Sequence, residues 1–161
     1  MRYRYSLYMK IFWRISNYEN LNGEGGRRGS ARWHTRGRPV VYMAESAAGA
    51  MLERLVHLED SEGMLPRTYT LLKIEAPETL AIQELMPLAE TGWRERPLYT
   101  QRLGDAWLTS GSTTLARIPS AVVPYTWNYL LNPEHADAPH VSITETLYER
   151  FDPRLLDFGA R

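Results

Sequence analysis

Hydrophobic and polar positions along the chain fall into short blocks rather than one sustained period. Ile11 to Ile15 is a dense run of β-branched and aromatic residues and predicts a strand, and Pro39-Val40-Val41-Tyr42-Met43 predicts a second. Between them, Asn17 to Arg38 is polar and glycine-rich around Gly25-Gly26 and reads as a long loop, a length often tied to function in compact domains. Glu45-Ser46 then supplies an acid and a capping hydroxyl ahead of a helix over Ala47 to Glu59. On that helix Met51, Leu52, Leu55, Val56 and Leu58 form one apolar face, with Glu53 beyond its edge.

Further along, Thr68 to Ile74 predicts a strand, and Thr79 to Ile82 another after the break at Pro77. Pro97 to Thr109 predicts a helix with apolar positions at Leu98, Leu103, Ala106, Trp107 and Leu108, stopped by Ser110-Gly111-Ser112. Thr114 to Ile118, Ala121 to Val123 and Tyr129 to Leu131 are short strands separated by Pro119, Pro124 and Pro133. Strands come early and late with helices between them, without regular βαβ alternation, so the fold class is mixed α+β.

Composition sharpens this picture. A chain of 161 residues is of single-domain size, and 43% hydrophobic with 24% charged residues is ordinary for a globular protein. Lys+Arg and Asp+Glu both number 19, a balance unlike that of a strongly basic nucleic-acid binder. There is no cysteine, which excludes disulfides, thiolate zinc sites and thiol nucleophiles and is compatible with the reducing cytoplasm. Met1 to Tyr8 alternates Arg and Tyr without the apolar centre of a signal peptide, and no apolar run reaches about 18 residues. The expectation is a cytoplasmic protein with no membrane segment, in which Met9 is an alternative start.

Three groups of residues carry candidate chemistry. In Gly25-Gly26-Arg27-Arg28-Gly29-Ser30-Ala31-Arg32-Trp33, glycines permit close backbone approach and guanidinium forks match phosphate oxygens. Arg27, Arg28, Arg32, His34, Arg36 and Arg38 fall within a dozen positions with no acid among them, a candidate anion site; by itself the glycine-rich stretch reads more readily as a solvated basic loop, because it matches neither the Rossmann nor the P-loop fingerprint. Arg32, beside Trp33, is the favoured position. Tyr42, at a strand end, precedes the helical Glu53 by eleven residues, and a strand-turn-helix unit can set an aromatic face and a carboxylate over one crevice, although taken singly Glu53 reads as a solvated surface charge and Tyr42 as a core residue. Ser120, in Arg117-Ile118-Pro119-Ser120, reads alone as a structural strand-end hydroxyl. No Gly-x-Ser-x-Gly elbow, His-x-x-x-His pair or Asp-rich loop is present, which favours a metal-independent reaction other than serine hydrolysis.

These segments, taken in order, resemble the RES-domain family. The resemblance rests on Ile11-Phe12-Trp13-Arg14, on Arg32-Trp33 with Gly37 and Pro39-Val40-Val41-Tyr42, and on Glu53-Arg54-Leu55-Val56-His57. It continues through Leu103-Gly104-Asp105-Ala106-Trp107-Leu108, Ile118 to Pro124, Asn128 to Pro133 and Phe151-Asp152-Pro153-Arg154-Leu155. It implies one RES-type domain over residues 9–156 after an extension of residues 1–8. The implied fold has small mixed sheets with flanking helices, as in ADP-ribosyltransferase toxins. The family's Arg, Glu and Ser fall on Arg32, Glu53 and Ser120 as catalytic residues, with Arg14 and Tyr42 as further NAD+-binding residues. The resemblance implies a toxin of a type II toxin-antitoxin pair that depletes NAD+, by hydrolysis or phosphorolysis, with NAD+ as substrate and no cofactor or metal. It further implies a helix-turn-helix antitoxin covering the active site, a homodimer, and no direct DNA contact by this chain. The competing readings are ADP-ribosylation of a protein target and a nucleic-acid-binding or RNA-cleaving toxin.

Overall fold

The computed structural model describes residues 8–58, 66–87 and 92–156. The chain order is β1 (Met9–Ile15), α1 (Glu24–Arg28), β2 (Val41–Ala44), α2 (Ala47–Leu58), β3 (Thr68–Pro77), β4 (Ile82–Glu84), α3 (Pro97–Ser110), β5 (Leu115–Pro119), β6 (Trp127–Leu131), β7 (Ser142–Arg150) and α4 (Pro153–Leu156). The strands form one seven-stranded sheet in the order β4-β5-β6-β2-β1-β3-β7, antiparallel except at the β4–β5 edge. The α+β expectation holds.

The sheet behaves as two leaves. From Met9 opposite Pro77 to Ile15 opposite Leu71, β1 pairs continuously with β3, and β3 in turn pairs with β7. On the other side β2, β6 and β5 pair over their lengths. The leaves meet where Trp13 stands opposite Ala44, the single paired position between β1 and β2. Past that point the strands part, and the opening is where the cleft lies.

Alternation along the strands separates two apolar clusters. Phe12, Val41, Met43, Leu72, Ile74, Leu115, Tyr129 and Leu131 pack on one face. Trp33, Val40, Trp107, Ala116, Ile118 and Leu130 pack on the other, beneath α3. The Trp33 loop is pressed against α3 so closely that a Cβ on Gly104 would lie 1.7 Å from the Trp33 carbonyl oxygen.

Several elements depart from the sequence-based expectation. The glycine-rich loop contains the short helix α1, and β7 and α4 lie in a stretch with no strong period. Ala121 to Val123 is not a strand, because Ser120 Oγ accepts the backbone N–H groups of Val122 and Val123 and turns the chain. Leu98 is 70% exposed although placed on the apolar face of α3. On α2 the buried residues are Gly49, Ala50 and Leu58, while Leu52 and Val56 are largely exposed. The small residues win because α2 lies close on β2: a Cβ at Gly49 would already touch that of Ala44 at 3.5 Å. Glu59, the expected end of that helix, lies outside the described residues.

Candidate active site

A cleft of about 550 Å³ opens between the two leaves, within the usual size range of small-molecule sites. Trp13, Arg14 and Ile15 line it from β1, and Tyr42 to Ala44 from β2. From α2 come Ala50, Glu53, Arg54, Val56 and His57, which at about 100° per residue occupy one continuous arc of the helix. Ser30 to Trp33 close one side, and Ile118, Val122 and Asn128 form the far wall.

Helix α2 positions Glu53. Its start is capped by Ser46, whose Oγ accepts the Gly49 N–H at 2.9 Å. One turn further on, the Glu53 Oε1 accepts two hydrogen bonds, from Ser120 Oγ at 2.9 Å and from Asn128 Nδ2 at 2.7 Å. Ser120 is buried behind the wall and does not line the cleft itself. Its hydroxyl accepts the Val122 and Val123 N–H groups and gives its own proton to Glu53. The Oε2 of Glu53 has no protein donor among the described residues.

Tyr42 is held by a chain of hydrogen bonds. Its hydroxyl accepts the Trp33 N–H at 3.1 Å and lies 2.8 Å from His34 Nδ1. His34 Nε2 faces two carbonyl oxygens, Gly29 at 2.8 Å and Gly26 at 3.3 Å, so the ring proton sits on Nε2 and Nδ1 accepts from Tyr42. The buried His34 thereby ties the Arg32–Trp33 loop to β2. Burial also pushes the Tyr42 phenol well above its ordinary pKa, so the hydroxyl stays protonated.

Arg32 turns one guanidinium nitrogen to the Arg94 carbonyl at 2.6 Å, while its own carbonyl accepts Thr100 Oγ1 at 2.5 Å. The side chain lines the cleft, and among the described residues the Arg94 carbonyl is the one acceptor its guanidinium meets. Arg14 makes one long hydrogen bond, 3.4 Å to Ser16 Oγ, and desolvation lowers its pKa from the ordinary arginine value. A half-buried cation so weakly satisfied by protein is suited to an anionic ligand. With Arg54, three guanidiniums line the cleft among the described residues, against the one carboxylate of Glu53.

Arg14, Arg32, Tyr42 and Glu53 thus share one cleft, and Ser120 reaches it through Glu53. The basic stretch as a whole does not form one anion site. Arg27 pairs with Glu24 and Glu134, Arg28 with Glu24, and Arg38 with Asp105, acids that lie outside the stretch and neutralise it locally. Sequence reasoning missed Asn128, whose signal was only its place in the Asn128 to Pro133 run that carries part of the resemblance, and also Trp13, Arg54, His57 and Gln101 as lining residues. A second hollow of about 410 Å³, lined by Leu21, Arg27, Leu131 and Glu134 among others, holds none of Arg14, Arg32, Tyr42, Glu53 and Ser120. Among the described residues no helix is long and apolar enough to cross a membrane.

Comparisons with known proteins bear on the family and the fold. The sequence model of the family described as RES domain matches residues 11–153. The chain is 49% identical over 133 residues to a protein of Pseudomonas putida named Toxin Res, covering 83% of this chain and 91% of that one. It is 36% identical over 156 residues to the Prs ADP-ribosylating toxin of a Sphingobium species, covering 90% and 96%. Among solved structures, the M. tuberculosis MbcT-MbcA toxin-antitoxin complex contains a chain that superposes with a TM-score of 0.69 at 18% identity, covering 96% of this chain and 91% of that chain.

Proposed function

The chain belongs to the RES domain family, and on that premise we propose that it is the toxin of a toxin-antitoxin pair whose cleft breaks the bond between nicotinamide and ribose in NAD+. The observation that carries this reading is the Glu53 carboxylate, held through Oε1 by Ser120 and Asn128, with no donor to Oε2 among the described residues, in a cleft lined by guanidiniums. NAD+ presents the matching chemistry. Its pyrophosphate suits Arg32 and Arg14 as charge-assisted hydrogen-bond donors, and its flat rings suit the Tyr42 and Trp13 faces.

The nicotinamide ring of NAD+ is already cationic, so it departs without protonation. The C1'–N bond breaks, its electron pair neutralises the departing ring, and positive charge develops on the ribose. A fixed carboxylate at that point stabilises the charge as it forms and orients the incoming nucleophile. When water attacks C1', its proton is released and the products are ADP-ribose and nicotinamide. Inorganic phosphate in place of water gives phosphorolysis.

A second reading takes a protein side chain as the acceptor, as the name of the Sphingobium relative suggests for that protein. In either case the partner we propose is a helix-turn-helix antitoxin that covers the cleft of a cytoplasmic homodimer. A toxin-antitoxin complex among the fold's relatives supports an antitoxin partner.

The test is nicotinamide release from NAD+ by wild type and Glu53→Gln. Gln keeps an oxygen for Ser120 and Asn128 to hold, so the fold is preserved while the charge disappears. Release should fall by roughly a hundredfold or more with little change in NAD+ affinity. Equal rates from two equally folded proteins refute the role of Glu53. With NAD+ labelled in its adenylate part, label on added cell protein identifies the transferase reading, and loss of RNA without nicotinamide release identifies an RNA-cleaving toxin.

A further inference from the structure

We propose that Asn128 is a positioning residue for Glu53: together with Ser120 it holds one carboxylate oxygen so that the other is presented to substrate. The proposal rests on Glu53 being the working carboxylate of the cleft. Asn128 stands on β6 opposite Ala44 of β2 and Ile118 of β5, and it lines the cleft together with Glu53 of α2. An ionised carboxylate only accepts, so the nitrogen of the amide must be the atom that faces Glu53 Oε1 at 2.7 Å. That leaves Asn128 Oδ1 on the other side.

This second atom decides what the residue is for. Asn128 Oδ1 is buried and no donor among the described residues reaches it. A buried acceptor without a donor opposes folding, and a hydrocarbon side chain of similar shape would not carry that penalty. The amide therefore gains nothing for stability through its oxygen, and the bond to Glu53 is the contact that accounts for it.

The mechanical consequence follows from the carboxylate torsion, which is broad and weakly restrained on its own. A single donor leaves the carboxylate free to swivel. Two donors on Oε1, from β6 and from the turn after β5, fix the plane of the group and hence where Oε2 points.

Three measurements test this. Asn128→Leu should melt at or above the wild-type temperature while kcat for nicotinamide release falls by about tenfold to a hundredfold and KM for NAD+ moves by less than about threefold. Asn128→Asp puts a second carboxyl against Glu53. When both are ionised they repel, and when they share one proton the donor is restored, so release relative to wild type should rise as pH falls from about 8 to 5. The third readout needs no turnover: the Asn128 side-chain amide resonance in ¹⁵N spectra should move in Glu53→Gln, because its charged acceptor is gone. The proposal is overturned by an Asn128→Leu protein with wild-type kcat, by loss of activity that tracks loss of melting temperature, by an Asn128→Asp pH profile parallel to wild type, or by an unmoved amide resonance. Wild-type protein that releases no nicotinamide removes the function assigned to the cleft, while the amide resonance still decides the Asn128–Glu53 contact.

Discussion

Replacing Gly104 with Ala sets helix propensity against packing. Gly104 lies inside α3, where Ala is favoured over Gly by about 1 kcal/mol, so local structure alone expects a stabilised protein. Tertiary structure expects the reverse. The new Cβ would sit 1.7 Å from the Trp33 carbonyl oxygen and 2.7 Å from its carbon, both backbone atoms that cannot rotate away. To reach ordinary contact, α3 must retreat from the loop by about 1.5 Å. That retreat stretches the hydrogen bonds which tie the two together: Thr100 to the Arg32 carbonyl, Gln101 to the Ala31 carbonyl, and Thr35 N and Oγ1 to the Asp105 carboxylate.

Overpacking costs about 1–3 kcal/mol. Loss of two of those hydrogen bonds adds about 1–3 kcal/mol more. Against a propensity gain of about 1 kcal/mol, the net destabilisation is about 1–5 kcal/mol. Urea unfolding at neutral pH measures it, and the melting temperature should fall by about 2–20 °C for a domain of this size. Because the loop that retreats carries Arg32, NAD+ turnover should fall with it. Gly25→Ala is the control, since a Cβ there meets nothing within 4 Å. A Gly104→Ala protein as stable as wild type would show that the loop does not lie on α3 in this way.

Two other perturbations separate roles within the cleft. Tyr42→Phe strands the Trp33 N–H and His34 Nδ1 and should cost about 1–3 kcal/mol at pH 7. Burial raises the Tyr42 pKa above the value of about 10 in the unfolded chain, so its contribution is complete below pH 10 and is lost as pH rises beyond it. The stability gap between wild type and Tyr42→Phe should therefore narrow in urea titrations above about pH 10, and a constant gap would contradict the buried phenol. Arg32→Lys keeps a positive charge but loses the planar fork, so nicotinamide release should fall by more than about tenfold with little change in melting temperature; near-normal release would remove the phosphate role from Arg32.

Much of the scaffold was legible because local chemistry specifies it. The β-branched and aromatic run at Ile11 to Ile15, the Ser46 cap before α2 and the Gly111 stop after α3 act within a few residues of themselves, and each element formed close to its expected place. The separation of Tyr42 and Glu53 along one strand-turn-helix unit was readable for the same reason, and both line the cleft. What α2 turned inward was not readable, because the choice of Gly49 and Ala50 over Leu52 and Val56 depends on how near β2 lies. The basic stretch looked unopposed because Glu134 and Asp105 approach it only in three dimensions. The hold on Glu53 joins residues 67 and 75 positions apart, from β6 and the turn after β5. Hydrophobic periodicity records which face of an element is buried; it does not record which side chain on another element that face meets. Pairing across the sheet and the splay of β1 from β2 decided that Ser120 and Asn128 converge on one oxygen, and the tertiary structure alone supplied it.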